Sequence, residues 1–292
     1  MRIGFVGVGT KGRPIAECLI AAGHRLTVHD ARAEAVSAMI GAGAAVADNP
    51  AEAAFAAEVV FTSLPGPREV EAVALDPEEG VLAGLRKGGT HIDLTTNAPA
   101  TVRRVAEAAR KRDVAFLDAP VSGRPPNMTV MVGGREADFG HCKKLFAAIA
   151  ANVFYVGPSG AGATAKLVTQ YLGYTGFIAA IEGMLVAAKA GIDLDLLAKI
   201  VPVSAGQSRT FDNAARNILN RSFAAGGTLD IVAKDVALAC ALARDLGAPA
   251  ALGALASDAY QRAQAQGWGE EGFPAVAKVL EAMAGVELKG RT

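Results

Sequence analysis

The sequence predicts an α/β fold, a doubly wound parallel sheet followed by a second, all-α domain. Three observations predict it. Short apolar stretches alternate with amphipathic ones from residue 2 to residue 156; the first apolar stretch runs into a glycine turn; and beyond residue 162 only helical periodicity remains. The expected division is therefore 1–161 and 162–292.

The opening unit is the most informative. Arg2-Ile3-Gly4-Phe5-Val6 is short and largely apolar, as a strand covered on both faces should be. Gly7-Val8-Gly9-Thr10-Lys11-Gly12 follows, then Ile15, Ala16, Leu19 and Ile20 at helical spacing. Gly23 and His24 close that helix, and Arg25-Leu26-Thr27-Val28-His29 reads as a second strand ending at Asp30. Gly7 permits the tight turn, Gly9 lets the backbone approach a pyrophosphate, and Gly12 lets the helix pack on the strand. The free N–H groups and positive dipole end of the helix then face the phosphates. This is the pattern of a Rossmann-type dinucleotide-binding unit, with Gly7, Val8, Gly9, Thr10, Lys11 and Gly12 as expected cofactor contacts. Asp30, eighteen residues beyond Gly12, is placed to accept hydrogen bonds from the adenosine ribose and to repel a 2′-phosphate. That favours NAD as cofactor, with NADP possible because Asp30 can equally be a solvated strand end and Arg32 stands close enough to meet a phosphate.

The remaining elements follow in order. Residues 31–40 form a helix and 44–47 a short strand; Asp48-Asn49-Pro50 then starts a helix with a side-chain oxygen cap before a proline. Glu58-Val59-Val60-Phe61-Thr62-Ser63-Leu64 is a strand stopped by Pro65-Gly66-Pro67. Its carboxyl end opens onto the crevice beside the glycine turn, which makes Leu64 and Pro65 either cofactor-site walls or simply a strand end and a rigid turn. Strands are expected at 90–95, 114–118, 129–132 and 153–156, with helices from Pro99 to about Arg112 and over 137–150. A helix over 162–190 begins the second domain, followed by 193–201, 211–220, 229–245, 249–266 and 274–287. Gly191, Pro202, Gly206, Gly226-Gly227, Gly247, Gly267 and Gly272 separate them.

Composition narrows the function classes. Lys plus Arg equals Asp plus Glu at 29 each, so no net field gathers nucleic acid or an anionic membrane surface. Cys18, Cys142 and Cys240 are odd in number and far apart, which points to reduced thiols in a cytoplasmic compartment rather than a disulfide frame; the four histidines lack metal-ligand spacing, so no metal is expected. The most apolar stretch, 172–188, is interrupted by Glu182, Gly173, Gly176 and Gly183, and is expected to be a helix buried against protein rather than a membrane span. Residue 2 already begins a strand, so no targeting segment is expected. The long apolar helix and the small-residue helix faces suggest a homodimer or homotetramer.

A cofactor domain needs a partner that supplies an acid or base. Gly160-Ala161-Gly162-Ala163-Thr164-Ala165-Lys166 puts Lys166 in the early turns of the long helix, where the domains are expected to meet. The helix dipole and the flanking Ala, Leu and Val both oppose its charge, which lowers a lysine toward the range useful for proton transfer. The alternative is a snorkelling surface lysine.

Together these stretches resemble the β-hydroxyacid dehydrogenase family, which includes 3-hydroxyisobutyrate dehydrogenases and tartronate semialdehyde reductases. The resemblance spans nearly the whole chain and rests on the N-terminal glycine turn with Arg13-Pro14-Ile15-Ala16, on Asp118-Ala119-Pro120-Val121-Ser122-Gly123, on the Gly160–Lys166 segment, and on Lys234-Asp235. It implies Lys166 as general acid or base, Ser122 and Gly123 as holders of the substrate carboxylate, Thr96 beside the nicotinamide, and Lys234 closing over cofactor and substrate. Hydride would pass between a small β-hydroxy acid, or the matching semialdehyde or keto acid, and the nicotinamide. Three positions depart from the family pattern. Ser122-Gly123 runs into Arg124-Pro125-Pro126, a shortened loop whose Arg124 is either a fork for a second anionic substrate group or a surface residue; Gln170 stands where the family has asparagine; and Lys11 replaces the methionine of the glycine turn. An imine reductase on the same scaffold and a non-catalytic NAD(P)-binding sensor are the alternatives. Lys166 argues against the first, and Lys166 with the anion loop against the second.

Overall fold

The computed structural model describes residues 1–224 and 227–290, so Gly226, one of the expected helix breaks, lies outside the described residues. The chain divides into two compact units, 1–166 and 167–292, and the division falls inside one long helix directly after Lys166.

The first unit contains β1 (Arg2–Val6), α1 (Gly12–Ala21), β2 (Arg25–His29), α2 (Ala33–Ile40), β3 (Ala45–Val46), α3 (Pro50–Phe55) and β4 (Val59–Thr62). Then come α4 (Pro67–Leu75), α5 (Val81–Gly84), β5 (Thr90–Asp93), α6 (Pro99–Lys111), β6 (Ala115–Asp118), β7 (Val121–Ser122), β8 (Thr129–Gly133), α7 (Glu136–Ile149) and β9 (Asn152–Gly157). The sheet order is β3-β2-β1-β4-β5-β6-β8-β7, with β9 also paired to β8. Pairing is parallel from β3 through β6. The doubly wound, mainly parallel sheet is as expected; beyond β6 it becomes mixed, with β8 antiparallel to β6 and β7 and parallel to β9. The tight hairpin after Ser122 cannot make the long crossover that a parallel neighbour needs.

The central strands are buried on both faces, as their continuous apolar runs require. Ile3, Phe5, Val59 and Phe61 join Ile15, Leu19 and Phe146 on one face; Val6 and Val60 join Val70, Val102 and Val105 on the other. Phe5 and Phe61 are register partners, and their rings stack at 5.8 Å. Asn49 caps α3 as its position before Pro50 predicts, its side chain accepting from Glu52 N at 2.8 Å. α4 and α5 stand where the sequence pattern predicts only the proline turn.

The second unit is helical. It contains most of α8 (Ala161–Lys189), then α9 (Leu194–Ile200), α10 (Arg209–Leu219), α11 (Leu229–Asp245), α12 (Ala251–Ala265) and α13 (Ala277–Ala284). Phe177, Ile181 and Met184 of α8 pack with Ile218, Val232, Val236 and Tyr260 into one core. The expected helix over 274–287 is shorter, because Gly285 adopts φ 65° and ends α13 in a left-handed cap. α8 is long and apolar enough to cross a membrane by length and composition, and the expectation that it is buried holds for one face only: Val168, Leu172 and Val186 are 51%, 64% and 70% exposed. All three cysteines are free and lie on helices, and burial pushes the Cys142 thiol up to about 11.

Candidate active site

The strand order reverses between β1 and β4, and the β1–α1 turn stands at that point. Gly7 has φ +90°, and a Cβ on it would lie 2.3 Å from the Ser63 carbonyl oxygen; one on Gly12 would lie 1.9 Å from the Gly7 carbonyl oxygen. Both close approaches require glycine. Val8 is buried beneath the turn, Thr10 is exposed, and among the described residues no side chain caps the start of α1 and no acid occupies its first turn. Arg13 N donates to the Gly9 carbonyl at 2.9 Å and Pro14 has no N–H, so the N–H groups of the turn before them are the ones aimed at an anion, and the turn fits a dinucleotide pyrophosphate.

Asp30 does more than end β2. One of its oxygens accepts from Val8 N at 2.9 Å and the other from Arg32 N at 2.9 Å, so its carboxylate ties the second strand to the glycine turn. The Arg32 guanidinium lies 3.5 Å from the same carboxylate and within 2.7 Å of where a Gly9 Cβ would stand. Asp30 thus has a structural task that the sequence pattern does not announce. Asp30→Ala is expected to weaken NAD binding by about tenfold or more, since two backbone N–H groups lose a charged acceptor, and to weaken NADP binding less, since the repulsion of a 2′-phosphate is lost with it. Coenzyme titrations with both forms check this; equal losses with both would leave Asp30 the bracing task alone.

Leu64 and Thr96 belong to neighbouring strand ends. Leu64 N donates to Thr95 Oγ1 at 3.0 Å, and a Leu64 methyl lies 3.2 Å from the position of a Gly7 Cβ. Beneath the loop that carries Thr96, the Asp93 carboxylate accepts from Thr62 Oγ1, Thr95 N and Asn97 Nδ2 at 2.9, 3.1 and 3.1 Å. Burial pushes the Asp93 carboxyl up and holds the His91 imidazole down at about 3, so His91 is neutral near pH 7. Thr62 donates to Asp93 and so accepts from His91 Nε2 at 3.0 Å, which assigns the ring proton to Nε2. This buried network shapes the Thr95–Asn97 loop. Its polar residues at strand ends are the only sign of it in the sequence.

Lys166 is 6% exposed. It is the sixth residue of α8, whose start is held by Asp118 at the end of β6: one carboxylate oxygen accepts from Gly160 N at 2.9 Å, the other from Ala163 N at 2.8 Å. Burial raises the Asp118 carboxyl to about 6, against the lowering by its backbone donors. Ser122 ends β7 and the loop after it begins with Gly123 and Arg124; all three are exposed, with Gly123 at φ +86°. Lys11 reaches this loop, its ammonium donating to the Gly123 carbonyl at 3.4 Å.

Gln170 and Lys234 belong to the second unit, where Asp235 joins them. Gln170 Nε2 donates to Asp235 at 2.6 Å and to the Tyr174 hydroxyl at 3.2 Å, while Lys234 Nζ lies 3.0 Å from the other Asp235 oxygen. Asp235 is 2% exposed. Burial first, then the Asp235 charge, pushes the Tyr174 phenol upward. The sequence marks the Lys234-Asp235 pair but not that the Asp235 carboxylate also accepts from Gln170.

Residues 2–157 match the family model for the NAD binding domain of 6-phosphogluconate dehydrogenase, and residues 160–280 match that for the NAD-binding of NADP-dependent 3-hydroxyisobutyrate dehydrogenase. The chain belongs to the β-hydroxyacid dehydrogenase family. Among its relatives, 2-(hydroxymethyl)glutarate dehydrogenase of Eubacterium barkeri is 30% identical, covering 99% of this chain and 98% of its own. NAD-dependent L-serine dehydrogenase of Pseudomonas aeruginosa is 32% identical, covering 97% and 99%. A crystal structure of 3-hydroxyisobutyrate dehydrogenase from Salmonella typhimurium superposes with a TM-score of 0.86 at 30% identity, over 96% of this chain and 99% of that one. Imine reductases, at 16–20% identity, share the fold alone. This β-hydroxyacid dehydrogenase is an NAD(P)-dependent oxidoreductase acting on the hydroxyl group of small hydroxy acids.

Proposed function

We propose that the enzyme interconverts a small β-hydroxy acid and its semialdehyde or keto acid, with Lys166 as the general acid/base. The observation that carries this proposal is a lysine only 6% exposed on a helix whose first turn is pinned by a buried carboxylate. A group so held keeps its position when substrate arrives, which proton transfer requires. Ser122 and Gly123 hold the substrate carboxylate, the glycine turn cradles the pyrophosphate, and Leu64, Pro65 and Thr96 flank the nicotinamide. When bound, the nicotinamide supplies the carbon that takes or gives the hydride. The Lys166 amine takes the hydroxyl proton in oxidation and returns it in reduction. Gln170 and Lys234, both joined to Asp235 within the second unit, take the substrate and coenzyme roles that the family resemblance implies. Asp30 supports a preference for NAD, while Arg32 leaves room for NADP.

The exposed apolar side chains of α8, with Leu252 and Leu255 of α12 at 67% and 69% exposure, support self-association as a homodimer or homotetramer. Three unpaired cysteines support a reducing, cytoplasmic setting. The experiment is an absorbance screen at the reduced-nicotinamide band with β-hydroxy acids and semialdehydes in both directions. Turnover is expected for compounds with a hydroxyl on the carbon β to a carboxylate; turnover confined to α-hydroxy acids would overturn the assignment.

A further inference from the structure

Two cations come from adjoining loops of the first unit, close enough for the charge of one to act on the other. Lys11 leaves the β1–α1 turn and donates to the carbonyl of Gly123, whose next residue is Arg124. Among the described residues neither cation lies within 4.0 Å of a carboxylate. The charge on Lys11 is opposed first by the protein atoms crowding its ammonium and then by Arg124, which together hold it below the ordinary lysine range. Like charges held close with no counter-charge cost energy, and an anion bound beside both relieves it. Both side chains remain open to solvent, so an anion can reach them.

Their place decides what kind of anion. Lys11 turns to the Gly123 carbonyl, in the loop that holds the substrate carboxylate under the function proposed above, on which this inference rests. Arg124 adds a planar fork that matches a carboxylate with two parallel hydrogen bonds, and Lys11 adds a point charge. We propose that Lys11 and Arg124, brought together across the glycine turn and the Ser122–Arg124 loop, form a second anion subsite, and that the substrate is a β-hydroxy acid bearing a second carboxylate.

A matched pair of alcohols tests this. 3-Hydroxyisobutyrate and 2-(hydroxymethyl)glutarate share the same hydroxymethyl carboxylate head, and differ by a methyl in one against a carboxyethyl arm in the other. The wild-type enzyme is expected to favour the dicarboxylate in kcat/KM by about tenfold or more, as charge-assisted hydrogen bonds are worth. Arg124→Gln and Lys11→Met are each expected to lower the dicarboxylate's value about tenfold more than the monocarboxylate's, with the preference shrinking as salt is raised. Equal use of the two alcohols, equal losses with both, or losses that appear only in the coenzyme KM would overturn the subsite. A binding arm separates this from the reaction itself: glutarate and butyrate are titrated into the enzyme holding oxidised coenzyme. If neither alcohol is oxidised while glutarate binds at least tenfold tighter and loses that advantage in Arg124→Gln, the subsite stands and the assigned reaction falls. If both bind alike, the subsite falls whatever the turnover.

Discussion

Lys166→Ala is expected to lower kcat by about 10²–10⁴-fold, the usual worth of a positioned general acid or base, while coenzyme affinity stays within about twofold of wild type. The argument rests on position. The side chain is 6% exposed, on a helix anchored at its first turn, and the proposed machinery gives it no part in holding the dinucleotide. Lys166→Arg separates charge from proton transfer, because a guanidinium keeps the positive charge but does not deprotonate at working pH. It is expected to be nearly as slow as the alanine variant. Steady-state rates paired with a fluorescence titration of reduced coenzyme check both statements. An alanine variant within tenfold of wild-type kcat would remove Lys166 from the proton path, and Lys166→Arg at wild-type rate would reduce its part to electrostatics.

Asp118→Ala carries the second large effect, and it reaches the site through the backbone. The carboxylate satisfies Gly160 N and Ala163 N in a buried environment, and each N–H left without a partner costs about 1–3 kcal/mol. Removing a carboxylate from a place where burial opposes its charge returns part of this, so the expected net loss is about 2–4 kcal/mol at pH 7, with kcat falling as well because the turn that carries Lys166 loses its anchor. The pH dependence has a definite sign. The folded-state carboxyl titrates at about 6, above its value in an unfolded chain, so between those values the folded protein binds a proton that the unfolded one does not. This group therefore adds stability as pH falls through 6, opposite to a salt-bridged carboxylate. The gap in thermal stability between wild type and Asp118→Ala is expected to widen by about 1 kcal/mol between pH 7 and pH 5. A gap that narrows on acidification would mean that the carboxyl is ionised at pH 5 in the fold.

How far the chain could be read in advance differs from element to element. α11 runs over 229–245 as its periodicity predicts, and Asn49 caps α3, because these features depend on side chains close in sequence. α4 and α5 escaped because short helices gain most of their stability from packing, here of Val70, Ala74, Val81 and Leu82 against the sheet. The exposed stripe of α8 escaped for the same reason: Leu172 and Val186 are as apolar as Phe177 and Ile181, and only the neighbours in the fold distinguish the buried pair from the open one. At the proposed site, the glycine turn with Gly7 and Gly12 was legible from spacing, and Lys166 as a candidate from spacing and family likeness. Asp118 and Asp235 stood inside the motifs without a visible task, since their partners, Gly160, Ala163 and Gln170, lie 42 to 65 residues away along the chain.

By itself the amino-acid order determined the βα glycine turn, the change from alternating strands and helices to helices alone, and the dinucleotide chemistry that follows, because each is written in residues within a turn or two of one another. Only the tertiary structure decided that Asp30 braces the turn, that Asp118 anchors the helix bearing Lys166, and that Lys11 meets the Arg124 loop. Those pairings depend on which strand ends become neighbours when the sheet buries its apolar faces, and no local pattern encodes that proximity.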